Sequence, residues 1–346
     1  MHNPININSL NKLDIYLKKN NRESDLNDEE NEIISKYQFL HANGLSHLKS
    51  SDIEKWLNNF ESKPSHKFMA LYILQSITYR NYDMMDSAFI RKIGKDIKNI
   101  YENISGTKID SIEEWLGLIK KDINNTVAST IKIKFYSIDK KSGSVTQSSN
   151  VILRSLANNV VHHSRVLNDV EAVKNSIEEG NIVVFIDDFL GSGQQASDFF
   201  HDNGFCDLVN ESTPNTRLIY MPMMAMREGL EKLKEDFPSL TILPCELIEE
   251  NCQLSNHYSL DSYLKVFDLN HNELAMTQIF QEMRQSYSFI GKPAWSGRNK
   301  AMLSIVFSWG CPNQTVSIIY HDNHVPISTD LGRTGFLNPL TARRRV

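Results

Sequence analysis

The chemistry-bearing residues of this 346-residue chain concentrate in one run, Val183-Val184-Phe185-Ile186-Asp187-Asp188-Phe189-Leu190-Gly191-Ser192-Gly193-Gln194-Gln195. Two carboxylates follow an apolar stretch, and a Gly-Ser-Gly turn follows them. Adjacent carboxylates suit the vicinal hydroxyls of a ribose or a divalent cation such as Mg²⁺. Gly191, Ser192 and Gly193 let backbone N–H groups approach an anion closely. A helix beginning near Gln195 adds a dipole that favours phosphate. The combination asks for a ligand with both a phosphate and a group that carboxylates can hold. An ordinary strand-to-helix turn is the bland alternative.

These residues need a strand before them and a helix after them. Residues 182–186 are continuously apolar, which predicts a strand buried on both faces. Residues 131–138 largely alternate apolar and polar, the pattern of a half-buried strand. Further strands are expected at 217–223 and 240–247, and helices at 151–161, 169–179 and 227–237. Strands alternating with helices predict an α/β fold, a parallel sheet with helices on both faces. In such sheets ligands sit beyond the carboxyl ends of the strands. The first third reads as helical, with segments at 31–40, 51–60, 67–79, 86–103 and 111–123. Ser51 is the expected N-cap of the second, and Pro64 a break. Residues before about 30 are polar and Asn-rich, so loose order is expected there. A helical stretch at 260–287 and strand-like runs at 302–308 and 315–321 complete the chain. The expected division is a helical region at 1–125, an α/β domain at 126–300, and a β segment with a basic tail at 301–346.

Composition excludes several classes. Net charge is −5, which argues against a wholly basic nucleic-acid coat. No apolar run approaches the ~20 residues that span a bilayer, and residues 1–9 carry no apolar signal core. The expectation is a cytoplasmic protein without a membrane partner. Cys206, Cys245, Cys252 and Cys311 form no metal or redox spacing and read as reduced thiols. His162-His163 is a candidate acid or base but fits a surface or core pair better. Glu246, Glu249 and Glu250 are either a third strand-end acidic group or a solvated cluster. Arg91, Lys92, Lys95 and Lys98 form a basic helical stripe, either a docking surface or a solvated face. Phe199, Phe200 and Trp295 read as core, and Trp295-Ser296-Gly297-Arg298 as a loop.

The 183–195 run resembles the PRPP-binding loop of type I phosphoribosyltransferases, where an apolar strand leads to two acidic residues and a Thr/Gly-rich turn. The resemblance implies that Asp187 and Asp188 hold the ribose hydroxyls and Mg²⁺, and that Gly191, Ser192, Gly193, Gln194 and Gln195 cradle the 5′-phosphate. Gln194 and Gln195 depart from the Gly and Thr common there. Type I enzymes carry a second, pyrophosphate-contacting loop after an earlier strand. Here its place falls to Lys140, Lys141, Ser142, Gly143 and Ser144, which otherwise form a solvated polar loop; Arg154 could support the same phosphates. Pro312-Asn313-Gln314-Thr315 is similar to a Pro-Asn-Asn-Thr segment in phosphoribosyltransferase-like proteins of prokaryotic conflict systems. Trp56-Leu57-Asn58-Asn59-Phe60 matches their Trp-Leu-x-x-Phe element. The likeness spans roughly residues 51–323 and places Asn313 and Thr315 on the base side of the cleft. It implies an enzyme acting at the anomeric carbon of PRPP or a nucleotide, by transfer or N-glycosidic cleavage, or a non-catalytic sensor of such a ligand. It further implies antiviral defence, with a defence-system protein or a retron reverse transcriptase and its RNA–DNA as partner.

Overall fold

Ser9 caps the first helix, its hydroxyl accepting the N–H of Lys12 at 3.2 Å. The bond satisfies one of the donors that a helix start leaves bare. The computed structural model describes residues 6–138, 148–206, 217–289, 295–320, 327–328, 334–335 and 338–341. Helix α1 (Leu10–Lys19) buries Leu10, Leu13, Tyr16 and Leu17, the spacing of a one-sided helix. α2 (Glu23–Ala42), α3 (Ser50–Leu57) and α4 (Pro64–Gln75) follow. The Asn-rich start, expected to be loose, is therefore helical from Leu10, because its sparse apolar residues share one buried face. Pro64, expected as a break, opens α4, where its missing N–H costs nothing. Every side chain from Phe68 to Leu74 is 0% exposed, so α4 runs through the middle of its unit. The short strand β1 (Thr78–Arg80) comes next.

The chain then enters the sheet unit through α5 (Tyr82–Lys92), a π turn at Ile93–Ile97, α6 (Lys98–Ser105) and α7 (Ile112–Ile119). Strand β2 (Ile133–Ser137) is followed by α8 (Ser148–Asn159), α9 (Val170–Glu178), β3 (Ile182–Leu190) and α10 (Gln194–Asp202). After these come β4 (Leu218–Met226), α11 (Arg227–Asp236), β5 (Thr241–Ile242) and β6 (Glu246–Ile248). The order is β2-β3-β4-β5, with β6 also on β4, and every pairing is parallel. The expected strand at 240–247 is thus two short ones. β4 pairs with β5 at Ile219 and Tyr220 and with β6 from Met224 onward. Pro222 falls in the gap between them, so a residue without an N–H forfeits no ladder bond.

Alternation divides the sheet's two faces. Tyr136, Val183, Phe185 and Tyr220 form one core with Ala196, Phe199, Phe200, Phe205, Leu233 and Phe237 from the α10–α11 side. Val184 and Ile186 point to the other face, where α8 lies against β2 and β3, with α5 against α8 and β4. The protein is therefore an α/β structure with a helix-flanked parallel sheet and a helical N-terminal region.

The remaining chain holds α12 (Leu260–Val266), α13 (Met276–Ser286), β7 (Ser288–Phe289), β8 (Ile305–Phe307) and α14 (Ser317–Tyr320). The stretch expected as one helix at 260–287 is interrupted at Asp268, which has φ 53. Of the strand expected at 315–321, Thr315 keeps only an isolated bridge to Leu303, Ser317–Tyr320 is a helical turn, and residue 321 lies outside the described residues. Val316, Ile318 and Ile319 are buried, but Thr315 turns its N–H back to the Pro312 carbonyl at 3.1 Å.

Two compact units result, Tyr82–Glu249 and a discontinuous one of Met1–Asn81 with Glu250–Arg345. These limits differ from the expected 125/126 and 300/301. α5 belongs to the sheet unit because it packs on α8 and β4. β8 belongs with the N-terminal helices because it pairs in parallel with β1, Thr78 opposite Ile305.

Candidate functional site

Strand β3 does not stop before its acidic pair, as expected, but carries Asp187 and Asp188 within it. Pairing with β4 continues through Asp187 opposite Pro222, Phe189 opposite Met224 and Leu190 opposite Ala225. The Asp188 side chain that follows reaches back to hydrogen-bond the Asp187 carboxyl, so the two acids form a pair. Asp187 is 3% exposed and lies on the Phe185 face. The Tyr220 hydroxyl donates to its Oδ2 at 2.7 Å, and the Asp188 N–H donates to its Oδ1 at 2.9 Å. Burial, reinforced by the Asp188 charge beside it, holds the Asp187 carboxyl well above the usual carboxylate range. Burial and the same carboxyl push the Tyr220 phenol up, so it stays protonated and able to donate. Asp188 is half-buried.

The loop beyond the strand is built for close approach. Gly193 caps α10 in the left-handed region at φ 78, a conformation that favours glycine. The N–H groups of Ser192, Gly193, Gln194 and Gln195 meet no acceptor among the described residues; the first bond into the helix is Ser197 N–H to the Gly193 carbonyl at 2.9 Å. The loop rests on the first turn of α11. A Cβ on Gly229 would stand 2.2 Å from the Gly191 carbonyl oxygen, and one on Gly193 would stand 3.1 Å from the Gly229 carbonyl oxygen. Farther along, the Ser197 hydroxyl and the Lys232 ammonium both donate to Asp236, each at 2.8 Å. The Lys232 bond holds the Asp236 carboxyl below its ordinary range. The Gln194 amide donates to Asp198 at 2.6 Å, folding that side chain along its own helix. Open amide donors at a helix start, next to a strand-end carboxylate, can hold a phosphate and a hydroxyl or cation together.

The other expected residues fall elsewhere. Lys140, Lys141, Ser142, Gly143 and Ser144 lie outside the described residues. The helix after them is tied to the strand before them, since the Ser149 hydroxyl donates to the Ile138 carbonyl at 2.7 Å; Arg154 is exposed on it. Asn313 and Thr315 belong to the discontinuous unit. The Asn313 carbonyl accepts the Arg298 N–H at 2.7 Å. Thr315 is 0% exposed, and its hydroxyl donates to the Ile305 carbonyl at 2.8 Å, which spends on the backbone the group expected to meet a base. His162 bonds through Nδ1 to the Ser164 hydroxyl at 2.9 Å. Glu249 pairs with Arg227 at 3.0 Å. Lys92 and Lys98 of the basic stripe pair with Asp96 and Glu102, each at 2.8 Å, as a solvated helix face does. Burial pushes the Cys245 thiol up to about 12, so it is inert.

Sequence reasoning missed three residues that shape the sheet unit. Tyr220 reads as one more apolar strand residue, and only strand register brings it to Asp187. Gly229 carried a signal, a glycine in the first turn of a helix. Arg165 is 0% exposed, and its guanidinium donates to the Ala128 and Ile131 carbonyls at 2.8 Å and to the Ile119 carbonyl at 3.2 Å. It ties the end of α7 to the entry of β2.

Among the described residues no group of three His, Cys, Asp or Glu side chains could hold a metal ion. Asp188 fits one carboxylate ligand of Mg²⁺, the rest of the shell coming from ligand oxygens and water, which is usual for this ion.

A strand running into carboxylates, then a small-residue turn with open amides, then a helix, is the arrangement that the likeness to type I phosphoribosyltransferases called for, and the protein is phosphoribosyltransferase-like. More narrowly, the chain belongs to the PRTase-CE family, whose model matches residues 53–328. A comparison with curated proteins finds no match. No helix among the described residues is long and apolar enough to cross a membrane.

Proposed function

We propose that the protein binds the ribose 5-phosphate portion of PRPP or of a nucleotide and acts at its anomeric carbon. The observation that carries this reading is the set of open N–H groups from Ser192 to Gln195 beside the Asp188 carboxylate. The loop donors hold the 5′-phosphate, and Asp188 holds ribose hydroxyls. In the reaction the bond from the anomeric carbon to diphosphate or base breaks, and the leaving group takes the electron pair. A new bond forms from an acceptor nitrogen or a water oxygen. The ribose passes through an oxocarbenium-like state, which a nearby carboxylate stabilises. Bound Mg²⁺ would neutralise diphosphate charge, and Asp188 is the residue that would hold it. Lys140 to Ser144 are proposed to meet the diphosphate. The proposed setting, an effector of antiviral defence beside a partner such as a retron reverse transcriptase with its RNA–DNA, rests on the likeness of residues 56–60 and 312–315 to conflict-system proteins.

A second reading is a PRPP or nucleotide sensor without turnover. What favours it is the commitment of Asp187 to Tyr220 and to the Asp188 amide, which removes one of the two carboxylates from acid–base work.

Thermal unfolding with PRPP, with and without Mg²⁺, tests binding. Ligand at about 100 times its Kd should stabilise by ~2.7 kcal/mol, and Asp188→Asn should abolish the shift. No shift with any ribose phosphate would overturn the proposal. Release of diphosphate or free base in the same samples separates enzyme from sensor.

A further inference from the structure

The two acidic residues look equivalent in sequence but are not equivalent in the fold. Asp187 is enclosed on the α10–α11 face of the sheet, 3% exposed. Both of its oxygens are engaged, Oδ2 by the Tyr220 hydroxyl at 2.7 Å and Oδ1 by the Asp188 N–H at 2.9 Å. Tyr220 is itself 0% exposed, and its ring lies edge-on to Phe200 with centroids 6.4 Å apart. Aromatic packing and strand register therefore fix the hydroxyl. Three links form a chain: β4 presents Tyr220, Tyr220 holds Asp187, and Asp187 holds the backbone amide of Asp188.

We propose that Tyr220 is a positioning residue of the ribose-phosphate site, acting through Asp187 to hold Asp188, the acid that meets the ligand. The inference rests on the ribose-phosphate reading above and divides its labour. Asp187 anchors, Asp188 contacts, and the 191–195 loop meets the phosphate independently of either. Enclosure with both oxygens engaged suits an anchor more than a ligand for hydroxyls or Mg²⁺. An amide held by a carboxyl, itself held by a fixed phenol, leaves the Asp188 backbone little room to shift. Removing the phenol frees that backbone and leaves Asp187 with an unanswered oxygen, and should cost affinity only for ligands that reach Asp188.

The test measures two ligands on the full-length chain by titration calorimetry: PRPP with Mg²⁺, and inorganic phosphate, which needs only the loop. Tyr220→Phe removes one oxygen and keeps the ring. It is expected to weaken PRPP on the order of tenfold and to leave phosphate within twofold. Asp188→Asn is expected to weaken PRPP at least as much. The double variant Tyr220→Phe with Asp188→Asn should be no weaker than Asp188→Asn alone, because Tyr220 works through that carboxylate. PRPP affinity within twofold of wild type in Tyr220→Phe, or additive losses in the double variant, would overturn the proposal. Equal loss of phosphate and PRPP in Tyr220→Phe would also overturn it, showing general damage to the fold. Wild-type protein that binds phosphate but gains nothing from the ribose and diphosphate of PRPP, or that binds neither ligand, would instead overturn the ribose-phosphate reading, and this proposal with it.

Discussion

The candidate site of the sheet unit and the interior of the discontinuous unit treat polar groups in opposite ways. In the sheet unit the residues of the site follow one another along the chain from Asp187 to Gln195, and the amides from Ser192 to Gln195 stay open. In the discontinuous unit polar groups close the fold across great sequence distances. The Tyr16 hydroxyl reaches the Phe267 carbonyl at 2.9 Å, Tyr72 reaches Leu254 at 2.7 Å, the Trp56 indole reaches Ile318 at 2.8 Å, and Ser304 reaches Ser76 at 2.6 Å. Each bond answers a buried carbonyl that would otherwise be costly. The Thr315 hydroxyl, expected at a ligand, belongs to this closing set. The lesson is that a motif becomes a site where the fold leaves its donors and acceptors open, and becomes architecture where the fold closes them.

The contrast can be broken at several points. Trp56→Ala removes a fully buried ring and the bond to Ile318, and should lower the unfolding free energy by about 3–5 kcal/mol in chemical denaturation. A loss below ~1 kcal/mol would mean that such closures do not hold the unit.

His257 gives the next largest effect. Its Nδ1 meets the Ser259 hydroxyl at 2.8 Å, its buried Nε2 has no partner among the described residues, and burial lowers its pKa to about 4 from 6.5. The unfolded chain binds the proton more readily between those values, so stability is present above pH ~6.5 and is lost as pH falls toward 4. The loss amounts to about 3 kcal/mol. His257→Gln should flatten that acid limb, and an unchanged limb would place the acid sensitivity elsewhere.

In the sheet unit, Asp188→Asn should erase the ~2.7 kcal/mol of stabilisation expected from PRPP at about 100 times its Kd, with little change in the ligand-free midpoint. Gly229→Ala puts a methyl against the Gly191 carbonyl, costs about 1–3 kcal/mol by overpacking, and should shift the loop enough to impair phosphate binding. A Gly229→Ala protein that binds phosphate like wild type would show that the loop does not depend on its seat.

The smallest effect sharpens the comparison through its sign. Asp187 has a raised folded pKa, so its contribution to stability is present below the ordinary carboxylate pKa near 3.9 and is lost as pH rises through the raised value. Asp187→Asn should remove that decline, opposite in direction to the limb that His257 produces. A decline retained in Asp187→Asn would assign it to another group.

Much of the sheet unit could be read from residue order. The apolar run at 182–186, the Gly-Ser-Gly turn and the helix after it are set by local backbone preferences, and all three appear in the fold. The extension of β3 through Leu190 could not be read, because the ladder with β4 carries the acidic pair into the strand. Tyr220 was invisible as a site residue because it lies 33 positions from Asp187 and only parallel register joins them. Residues 315–321 look like a strand because Val and Ile favour one, yet Ile318 and Ile319 are buried in the helical turn Ser317–Tyr320.

Sequence by itself determined the type and order of the parts: a parallel α/β region, a carboxylate pair, a Gly-Ser-Gly turn, and helices before them. Each depends on a few neighbouring residues, through glycine conformation, apolar periodicity and helix starts. Tertiary structure alone decided which carboxylate is enclosed, which hydroxyls are spent on backbone, and that the last third of the chain joins the first. Those outcomes depend on burial and on hydrogen-bond partners drawn from distant segments, and no local pattern encodes a partner that only folding brings near.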